Sequence, residues 1–478
     1  MPRPGLIGGQ YRPLSEAQVE QIHHASLKVL AETGIHVEHA EALALYRQGG
    51  AQVGANHRVT ISADMVQAAL EKAPSKVLLA GRDPAQDVML EGDRVYVGTG
   101  GSPTMVLDPG ADVVRAGTWR DLVDLARLAD ALGHCDFIVI PLHPTDVPEE
   151  DVPVNRFHAC LSNSTKHIMG GAGSVDGARQ VIALGTMIAG GLVKLQKRPI
   201  LSAITSWMVS PLHVDTSVTD ILIEWCKHGL PVALSSAPMA GSTSPMTLAG
   251  SLVQLNAEQL SGIVLTQLVH PGTPVLAGYI PGVADMRTGG YLGGTIEFGM
   301  MQAAAAQLAH FYQVPIYCSA GMTDSKLPDA QAGYEKMSTL LLAAMGGANY
   351  IHHAISMVTN MNAASLEQAV IDDEIAGMVM RALRGIEVTE DALAVEAIHR
   401  VGPGGHYLMD PHTVQFMRSE LFYPTVADRQ NRSVWELQGK QDTRARAAAR
   451  VKALLSKHQA PGLPASVDAA VRARFNIL

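Results

Sequence analysis

Aromatic side chains stand in or beside several short apolar runs of this chain. Trp207, Tyr279 and Tyr317 belong to three such runs, and Phe298 follows a glycine-rich stretch. The faces of aromatic rings attract a quaternary ammonium group, and each ring contributes about 0.5–2 kcal/mol, depending on desolvation. Together these rings could line a pocket for a methylated ammonium ligand. Each ring taken alone is also compatible with an ordinary place in the core.

Two adjacent histidines, His352 and His353, lie in the apolar run YIHHAIS at 350–356. Successive side chains of a strand point to opposite faces, so we expect one histidine to face inwards and the other to face the helices. Either could bind a ligand, and either could be a hydrogen-bonded core residue. Zinc held by His353 and Cys318 would need a third ligand, and no recognisable ligand spacing accompanies them. No metal site is therefore predicted.

Charged residues cluster in the stretch GMTDSKLPDAQAGYEK at 321–336, between two apolar runs. Asp324, Lys326 and Leu327 fall in its first half, which we expect at the rim of a site. Asp329 is suited to cap the helix that follows. Asp324, together with Glu297 at the start of another helix, could supply negative potential to an ammonium group. A plain surface loop is the alternative.

Glycine-rich stretches at 170–173 (GGAG) and 402–406 (GPGGH) would allow a ligand or a partner to approach the backbone closely. A phosphate cradle, a large flat ligand and a partner protein are all compatible with them. Flexible loops without a ligand are the alternative. The residues assigned to such a contact are Gly170, Gly171, Gly404, Gly405, His406 and Tyr407.

The elements that would position these residues recur at regular intervals. Seven short apolar runs start at residues 137, 167, 200, 231, 274, 315 and 350, and helical patterns separate them. Buried strands that alternate with helices indicate a parallel sheet. Seven units, with 402–408 as a weak eighth, predict a (β/α)8 TIM barrel of the α/β class, with its site at the carboxyl ends of the strands. A doubly wound open sheet is the alternative, but no GxGxxG motif follows the first run.

Three parts are expected along the chain. Residues 1–117 predict an N-terminal helical and β-hairpin extension, in which Ser15 and Gln18 form a capping box. Residues 118–432 predict the catalytic barrel. Residues 433–478 predict a C-terminal helical tail that packs on the barrel or on another subunit.

Composition excludes several classes of protein. The net charge of -9, without a basic cluster, argues against binding nucleic acid. The longest apolar stretch is too short to span a membrane, and the first residues do not have the pattern of a signal peptide, so we expect a cytoplasmic protein. The four cysteines are far apart, which favours neither disulfides nor structural zinc. The apolar tail helices and moderate charge predict a homo-oligomer.

Several long motifs resemble the trimethylamine:corrinoid methyltransferase superfamily. They are STKHIMGG at 164–171, FGMMQAAAAQLAHFYQVP at 298–315, the stretch 321–336, VGPGGHYL at 401–408 and HTVQFMRSELFYPTVADR at 412–429. The resemblance implies a TIM barrel that moves a methyl group from an amine to the cobalt(I) of a corrinoid (cobalamin) carried by a separate protein. It assigns the contacts at 170–171 and 404–407 to that corrinoid protein.

One difference from archaeal relatives points to the substrate. Those that act on trimethylamine carry pyrrolysine within the barrel, whereas every residue here is standard, with Leu327 assigned near the corresponding position. A neutral tertiary amine would have to leave as an amide anion, whereas a quaternary amine leaves as a neutral tertiary amine. The resemblance therefore predicts a member without pyrrolysine that demethylates glycine betaine or a related betaine through positioning and desolvation.

A betaine also brings a carboxylate that needs a partner, and Lys326, Arg287 and His353 are the candidates. Three other functions stay open. They are a trimethylamine-type methyltransferase, a phosphate-handling barrel with its phosphate site at 402–405, and a non-catalytic ligand-binding barrel.

Overall fold

Eight parallel strands form a closed barrel, as the spacing of the apolar runs predicts. The computed structural model describes residues 3–478. Each strand pairs with its neighbours in parallel, and the last strand pairs with the first, which closes the barrel. The strands are β1 (Arg94–Thr99), β2 (Phe137–Val139), β3 (His167–Gly170), β4 (Leu201–Thr205), β5 (Val232–Ser236), β6 (Val275–Tyr279), β7 (Ile316–Ser319) and β8 (Tyr350–Ile355).

The eighth strand is not the one predicted. Residues 402–408 form no strand, and the missing member is β1, which lies inside the range 1–117 assigned to the extension. Short strands surround β1 in sequence, so its pattern looks like part of a hairpin. Its parallel pairing, Gly98 with Phe137 on one side and Tyr96 with Tyr350 on the other, depends on distant segments. The barrel therefore begins before residue 118.

Helices cover the outside of the barrel. The cap predicted at Asp329 is present, with the Ala332 amide donating to its side chain, and Thr118 forms a capping box with Asp121 at the start of the helix Trp119–Ala131. These side chains satisfy backbone N–H groups that would otherwise have no partner at the helix starts. The helices are α1 (Trp119–Ala131), α2 (Val152–Asn163), α3 (Val175–Ala189), α4 (Thr216–Lys227), α5 (Leu248–Val269), α6 (Ile296–Phe311), α7 (Ala330–Met345) and α8 (Leu366–Arg384).

A hairpin closes the amino-terminal end of the barrel. Its strands Val77–Leu79 and Val88–Leu90 pair in an antiparallel manner, and their apolar residues join the interior core that includes Phe137 and Tyr350. The Ala80 amide donates to the Pro199 carbonyl, just before β4 begins. The interior is thereby filled from below, and space for a ligand is left at the carboxyl ends.

The remaining N-terminal elements form a layer beside α5. The predicted capping box of Ser15 and Gln18 is present at the first helix. The helices of this layer are Glu16–Lys28, Ala40–Gln48 and Ala63–Leu70, with a π-helical turn at Val29–Thr33 and 3-10 turns at Ala55–His57 and Pro84–Gln86.

Short elements also lie elsewhere along the chain, including the connections between the barrel strands. A short helix at Leu192–Lys197 precedes β4. The short strands of the N-terminal region and of the barrel loops are Leu6–Ile7, Ile35–Val37, Gln52–Val53, Arg58–Thr60, Met105–Leu107, Val114–Ala116, Met208–Val209, His213–Val214, Met239–Ala240, Gly282–Ala284, Tyr291–Leu292, Met357–Val358 and Ala363–Ala364.

The segment 385–421, which we name the arm, follows α8. Within it, only Ala397 and Asp410 are buried. Arg381 and Arg384 of α8 bind its two ends through Gly385 and Glu420. The arm contains the short helices Glu390–Leu393, Val395–Val401 and Pro411–Glu420.

The C-terminal tail packs on the outside of the barrel, which is one of the two positions predicted for it. Its longest helix, Thr443–Lys457, contacts α8 and α1. The other two helices are Arg432–Leu437 and Ala465–Arg474. No helix within residues 3–478 is long and apolar enough to cross a membrane.

Candidate active site

A cavity of about 470 Å³ lies at the carboxyl ends of the barrel strands. This is the end of a TIM barrel at which active sites are found. Among the described residues 3–478, those that line the cavity include no Asp, Glu, Lys or Arg. They are Gly101, Ser102, Val139, Ile204, Ser206, Ser235, Ala237, Ile280, Tyr291, Tyr317, His352, His353 and Met361.

A stack of rings leads from the barrel core to this cavity. Phe137 and Tyr350 stack in the core with ring centroids 3.4 Å apart, and Tyr317 lies 5.7 Å from Tyr350. The Tyr317 ring then lies 4.0 Å from His352, whose ring is 3.8 Å from that of His353. Because each ring is packed against the next, the rings at the cavity are held in fixed orientations.

Both adjacent histidines line the cavity, so the expectation that they face opposite sides is wrong. His353 has a φ of 67°, in the left-handed region, and the pairing of β8 with β1 shifts register between Ile351 and Ile355. Such an irregularity breaks the alternation of side chains along a strand. It directs the His353 ring to the same side as the His352 ring.

Both histidines are uncharged at neutral pH. Burial, with a contribution from the nearby Lys336 charge, lowers the pKa of His353 to about 3. Burial also lowers the pKa of His352 well below its usual value. His352 donates through Nδ1 to the Cys318 carbonyl, and His353 Nδ1 lies 2.7 Å from the Ser319 hydroxyl. His353 can therefore form hydrogen bonds, but it does not offer a positive charge to a carboxylate.

A buried ion pair lies behind His353. The Lys336 ammonium is 3.2 Å from an Asp372 carboxylate oxygen, and both side chains are 1% exposed. Lys336 also donates to the Gly321 carbonyl, and Asp372 accepts from the Ser356 amide at 2.8 Å. The pair thus fastens the end of β8, including its irregular segment, to the end of β7.

Sequence reasoning missed this pair, although a signal was present. In the helical pattern of α7, Lys336 falls on the same face as Ala332, Leu340 and Ala343, which are buried. A lysine on an apolar helix face is unusual enough to indicate a buried partner. Burial lowers the pKa of Lys336 and raises the pKa of Asp372 to about 6.

Three of the predicted aromatic residues do not line the cavity. Trp207 is fully buried and lies against Gly262 of α5. The Tyr279 hydroxyl donates to Asn256 of α5 at 2.7 Å, so this ring also faces the helices. Phe298 is buried on α6, with its ring centroid 6.4 Å from that of Tyr291. Of the predicted rings, the structure brings only Tyr317 to the cavity, and Tyr291 was missed.

The charged residues predicted at the rim bind backbone groups of the rim loops. Asp324 accepts from the Gly293 and Gly294 amides, and burial raises its pKa. Lys326 is exposed and donates to the Asp324 carbonyl oxygen. The cavity lining therefore includes neither residue.

The other residues predicted near the rim also lie outside the cavity. Glu297 is exposed at the start of α6. Leu327 packs against a small apolar cluster with Leu107 and Val358. Arg287 is 88% exposed and pairs with Asp285, which leaves it outside the cavity as well.

The glycine-rich stretches lie in two separate places. A Cβ atom at Gly170 would come within 2.6 Å of Ile140, which explains this glycine by packing, whereas Gly171 faces open space. Gly404, Gly405, His406 and Tyr407 are exposed on the arm. Because α8 runs antiparallel to β8, the arm begins at the end of the barrel opposite the cavity. The structure does not bring these four residues to the cavity of the same chain.

One group in the described part of the chain has a composition that could hold a metal ion. His36, Glu38 and His213 place their ligand atoms within 4.8 Å of one another. They lie at the surface on the sheet formed by Ile35–Val37 and His213–Val214, and none of them lines the cavity.

The closed barrel with a cavity at the carboxyl ends of its strands has the architecture of a TIM-barrel enzyme. The crystal structure of the Methanosarcina barkeri monomethylamine methyltransferase MtmB has this fold in common, with a TM-score of 0.53 and 13% sequence identity. The match covers 94% of this chain and 88% of that one. At this identity the likeness concerns the fold alone.

The family model described as trimethylamine methyltransferase (MTTB) matches residues 6–476, so this chain belongs to that family. Glycine betaine methyltransferase of Desulfitobacterium hafniense (strain Y51) is 34% identical over 471 residues, covering 98% of this chain and 97% of its own. Trimethylamine methyltransferase MttB of Desulfitobacterium hafniense (strain DSM 10664 / DCB-2) is 34% identical over 469 residues, covering 98% and 93%. The predicted family and the prediction of a methyltransferase are confirmed.

Proposed function

We propose that this protein transfers a methyl group from a quaternary amine, glycine betaine or a related betaine, to the cobalt(I) of a separate corrinoid protein. The uncharged aromatic cavity is the observation that carries this proposal. Tyr317, Tyr291 and two neutral histidines line it, and its described lining includes no carboxylate, lysine or arginine. Aromatic faces in a desolvated site favour a quaternary ammonium.

The chemistry requires no proton transfer within the cavity. Cobalt(I), supplied by the corrinoid protein, attacks the methyl carbon as the carbon–nitrogen bond breaks. The electron pair of that bond stays on nitrogen, and the tertiary amine leaves without charge. The contribution of the cavity is to hold the ammonium in one orientation and to exclude water.

A tertiary amine such as trimethylamine is the less favoured substrate. The neutral molecule needs protonation or another activation before its methyl group can be transferred and a secondary amine can leave. His352 and His353 have pKa values far below neutrality because both are buried, so neither imidazole carries a proton to give. This observation favours a donor that is already quaternary.

The test is anaerobic incubation of the protein with the cobalt(I) form of a corrinoid protein and single methylated amines. Glycine betaine, choline, carnitine, tetramethylammonium and trimethylamine are compared. We expect loss of the cobalt(I) absorbance and release of one equivalent of demethylated amine with a betaine. Reaction with trimethylamine alone would refute the proposal. Betaine binding without any cobalt methylation would instead support a non-catalytic binding barrel.

For the corrinoid protein, we propose that Gly171 marks part of the docking surface, since it faces open space just after β3. The contact predicted for Gly404, Gly405, His406 and Tyr407 stays a prediction, because these residues lie on the arm. A Gly171→Trp variant should raise the KM for the corrinoid protein and leave amine binding unchanged. An unchanged KM would remove Gly171 from that surface.

We further propose that the arm is the contact between copies of this chain in a homo-oligomer. Eleven large apolar side chains of the arm are exposed: Ile386, Val388, Leu393, Val395, Ile398, Tyr407, Leu408, Met409, Val414, Met417 and Leu421. At roughly 100 Å² each they expose on the order of 1,000 Å², whereas a standard interface buries about 800 Å² per partner. A permanent partner fits such an apolar surface better than a transient one, because obligate interfaces are the more hydrophobic.

Sedimentation velocity tests this arrangement. The wild type should sediment as an oligomer, and Leu408→Glu combined with Met409→Glu should shift it towards the monomer. A pair with the same change in charge on the surface helix Leu192–Lys197, Val193→Glu combined with Lys197→Gln, should leave the oligomer intact. A wild type that is monomeric at micromolar concentration would refute the proposal.

A further inference from the structure

Arg156 of α2 is buried beside the cavity. It is 7% exposed, and its Nη2 donates to the Ser102 hydroxyl at 2.5 Å. Ser102 lines the cavity and also donates to the Ile140 carbonyl at 2.6 Å. A single hydroxyl group therefore connects the guanidinium to the space in which a substrate would lie.

This guanidinium has no acidic partner among residues 3–478, since no carboxylate oxygen lies within 4.0 Å of it. Its Nη1 contacts His143 Nδ1 at 3.3 Å, and because arginine only donates, the imidazole accepts. The Nε–H group is buried without any hydrogen-bond partner. Much of the hydrogen-bonding capacity of Arg156 is therefore unused.

A buried positive charge without a counter-charge is costly. Burial lowers the pKa of Arg156 to about 10, which still leaves it protonated at neutral pH. Neighbouring groups do not compensate for the charge, because His143 also has a lowered pKa from burial and from Arg156 itself. The charge and its unused donors point to an anionic group that arrives with a ligand.

On the basis of the proposed function, we propose that Arg156, which Ser102 holds beside the cavity, binds the carboxylate of the betaine substrate. The fork of the guanidinium matches the two oxygens of a carboxylate. The quaternary ammonium would then lie towards Tyr317 and Tyr291, on the uncharged side of the cavity. A substrate that carries both an ammonium and a carboxylate group would therefore bind, whereas the positive charge of Arg156 would disfavour an amine that carries only a positive charge.

This assignment replaces the three candidates predicted from the sequence. Lys326 and Arg287 are exposed, and His353 is neutral. The sequence analysis did not identify Arg156, because this residue lies in the apolar helix pattern VPVNRFHACL at 152–161 and not in a predicted rim loop. Its position on the buried face of α2 was the available signal.

The experiment compares two ligands that differ in the carboxylate. Calorimetry measures the binding of glycine betaine and of tetramethylammonium to the enzyme without the corrinoid protein. For Arg156→Gln we expect the Kd for glycine betaine to rise about 30-fold, as for a lost charge-assisted hydrogen bond. The Kd for tetramethylammonium should stay the same or fall. Arg156→Lys should give an intermediate Kd for glycine betaine.

The exposed Arg287→Gln variant is the matched control and should bind both ligands as the wild type does. Thermal unfolding checks that each variant is folded, and if Arg156→Gln is not, Ser102→Ala with Arg156→Lys carries the comparison. Equal changes for both ligands, or none, would overturn the proposal. So would an effect confined to the KM for the corrinoid protein, which would place the anion on that protein. Lack of turnover by wild-type enzyme with every amine would instead refute the proposed function.

Discussion

The loop between β7 and α7 and the side of the barrel formed by β1 and α2 make an instructive contrast. The loop is rich in charge, but Asp324 accepts from backbone amides and Glu335 accepts from Thr323 and the Asp324 amide. The other side presents little charge, yet Arg156 of α2 is buried there without a carboxylate partner. Carboxylates that accept from backbone amides and hydroxyl groups hold loops in place, whereas a buried charge without a counter-charge is available to a ligand.

The largest expected effect is a difference in stability between variants of two lysines in the stretch 321–336. Lys336→Met should lower the free energy of unfolding by about 3–5 kcal/mol, because it leaves Asp372 buried without its partner. Urea unfolding followed by circular dichroism measures this change. Lys326→Met, ten positions earlier and exposed, should leave the urea midpoint unchanged.

If both lysine variants lost a similar free energy of unfolding, the exposure of a lysine would not indicate whether its charge stabilises this protein. A double variant, Lys336→Met with Asp372→Leu, should recover much of the lost stability, since apolar side chains can replace a buried pair. Failure to recover would mean that Lys336 acts mainly through the Gly321 carbonyl.

Buried histidines that stay neutral in the folded protein should make its stability depend on pH. The pKa of His353 is lowered to about 3 and that of His167 to about 4, both mainly by burial. Below pH 6.5 the unfolded chain binds protons that the folded chain does not, so each histidine lowers stability by about 1.4 kcal/mol per pH unit there. Asp372, with its pKa raised to about 6, offsets part of this loss between pH 6 and 4.

We therefore expect the free energy of unfolding to fall by about 2–3 kcal/mol between pH 6.5 and 5. Urea titrations at several pH values measure the slope. His353→Gln should make the slope shallower. A stability that stays constant down to pH 5 would contradict the neutral state of these histidines.

The smallest expected effects concern two strand tyrosines, one that lines the cavity and one that faces the helices. Tyr317→Leu removes an aromatic face from the cavity and should weaken the binding of a quaternary amine by about 0.5–2 kcal/mol, or 2- to 30-fold. Tyr279→Phe removes only a hydroxyl that donates to Asn256. It should leave amine affinity unchanged and lower stability by about 1 kcal/mol.

Calorimetric titration with tetramethylammonium measures both affinities without the partner protein. The same Kd in the wild type and in Tyr317→Leu would argue that the ring stack is structural. A weaker Kd in Tyr279→Phe would instead mean that its helix-side hydrogen bond shapes the cavity.

The barrel could be predicted because seven of its strands are apolar runs at regular spacing. The first strand, β1, could not, because its pairing with β2 and β8 joins segments about 40 and 255 residues away. Part of the site could be predicted in the same way, since Tyr317, His352 and His353 lie within two of the runs. That both histidines face the cavity depends on one left-handed residue, which the pattern of side chains does not reveal.

The remaining site residues depend on which partner each polar group finds. Lys326 and Lys336 have the same side chain in one stretch, but only tertiary contacts decide that the second is buried against Asp372. Arg156 is set apart by being buried and by having no carboxylate oxygen within 4.0 Å of its guanidinium. Sequence patterns indicate the face of a helix, and they do not indicate whether a charge on it is balanced.

The hairpin at Val77–Leu79 and Val88–Leu90 has a kinetic consequence. Because it fills the amino-terminal end of the barrel, the amine, the demethylated product and the corrinoid of the proposed reaction would all use one entrance. A corrinoid protein seated on that entrance would trap whatever lies in the cavity. The order of events then becomes fixed: amine enters first, the corrinoid protein departs before the product, and the steady-state kinetics follow a compulsory sequence.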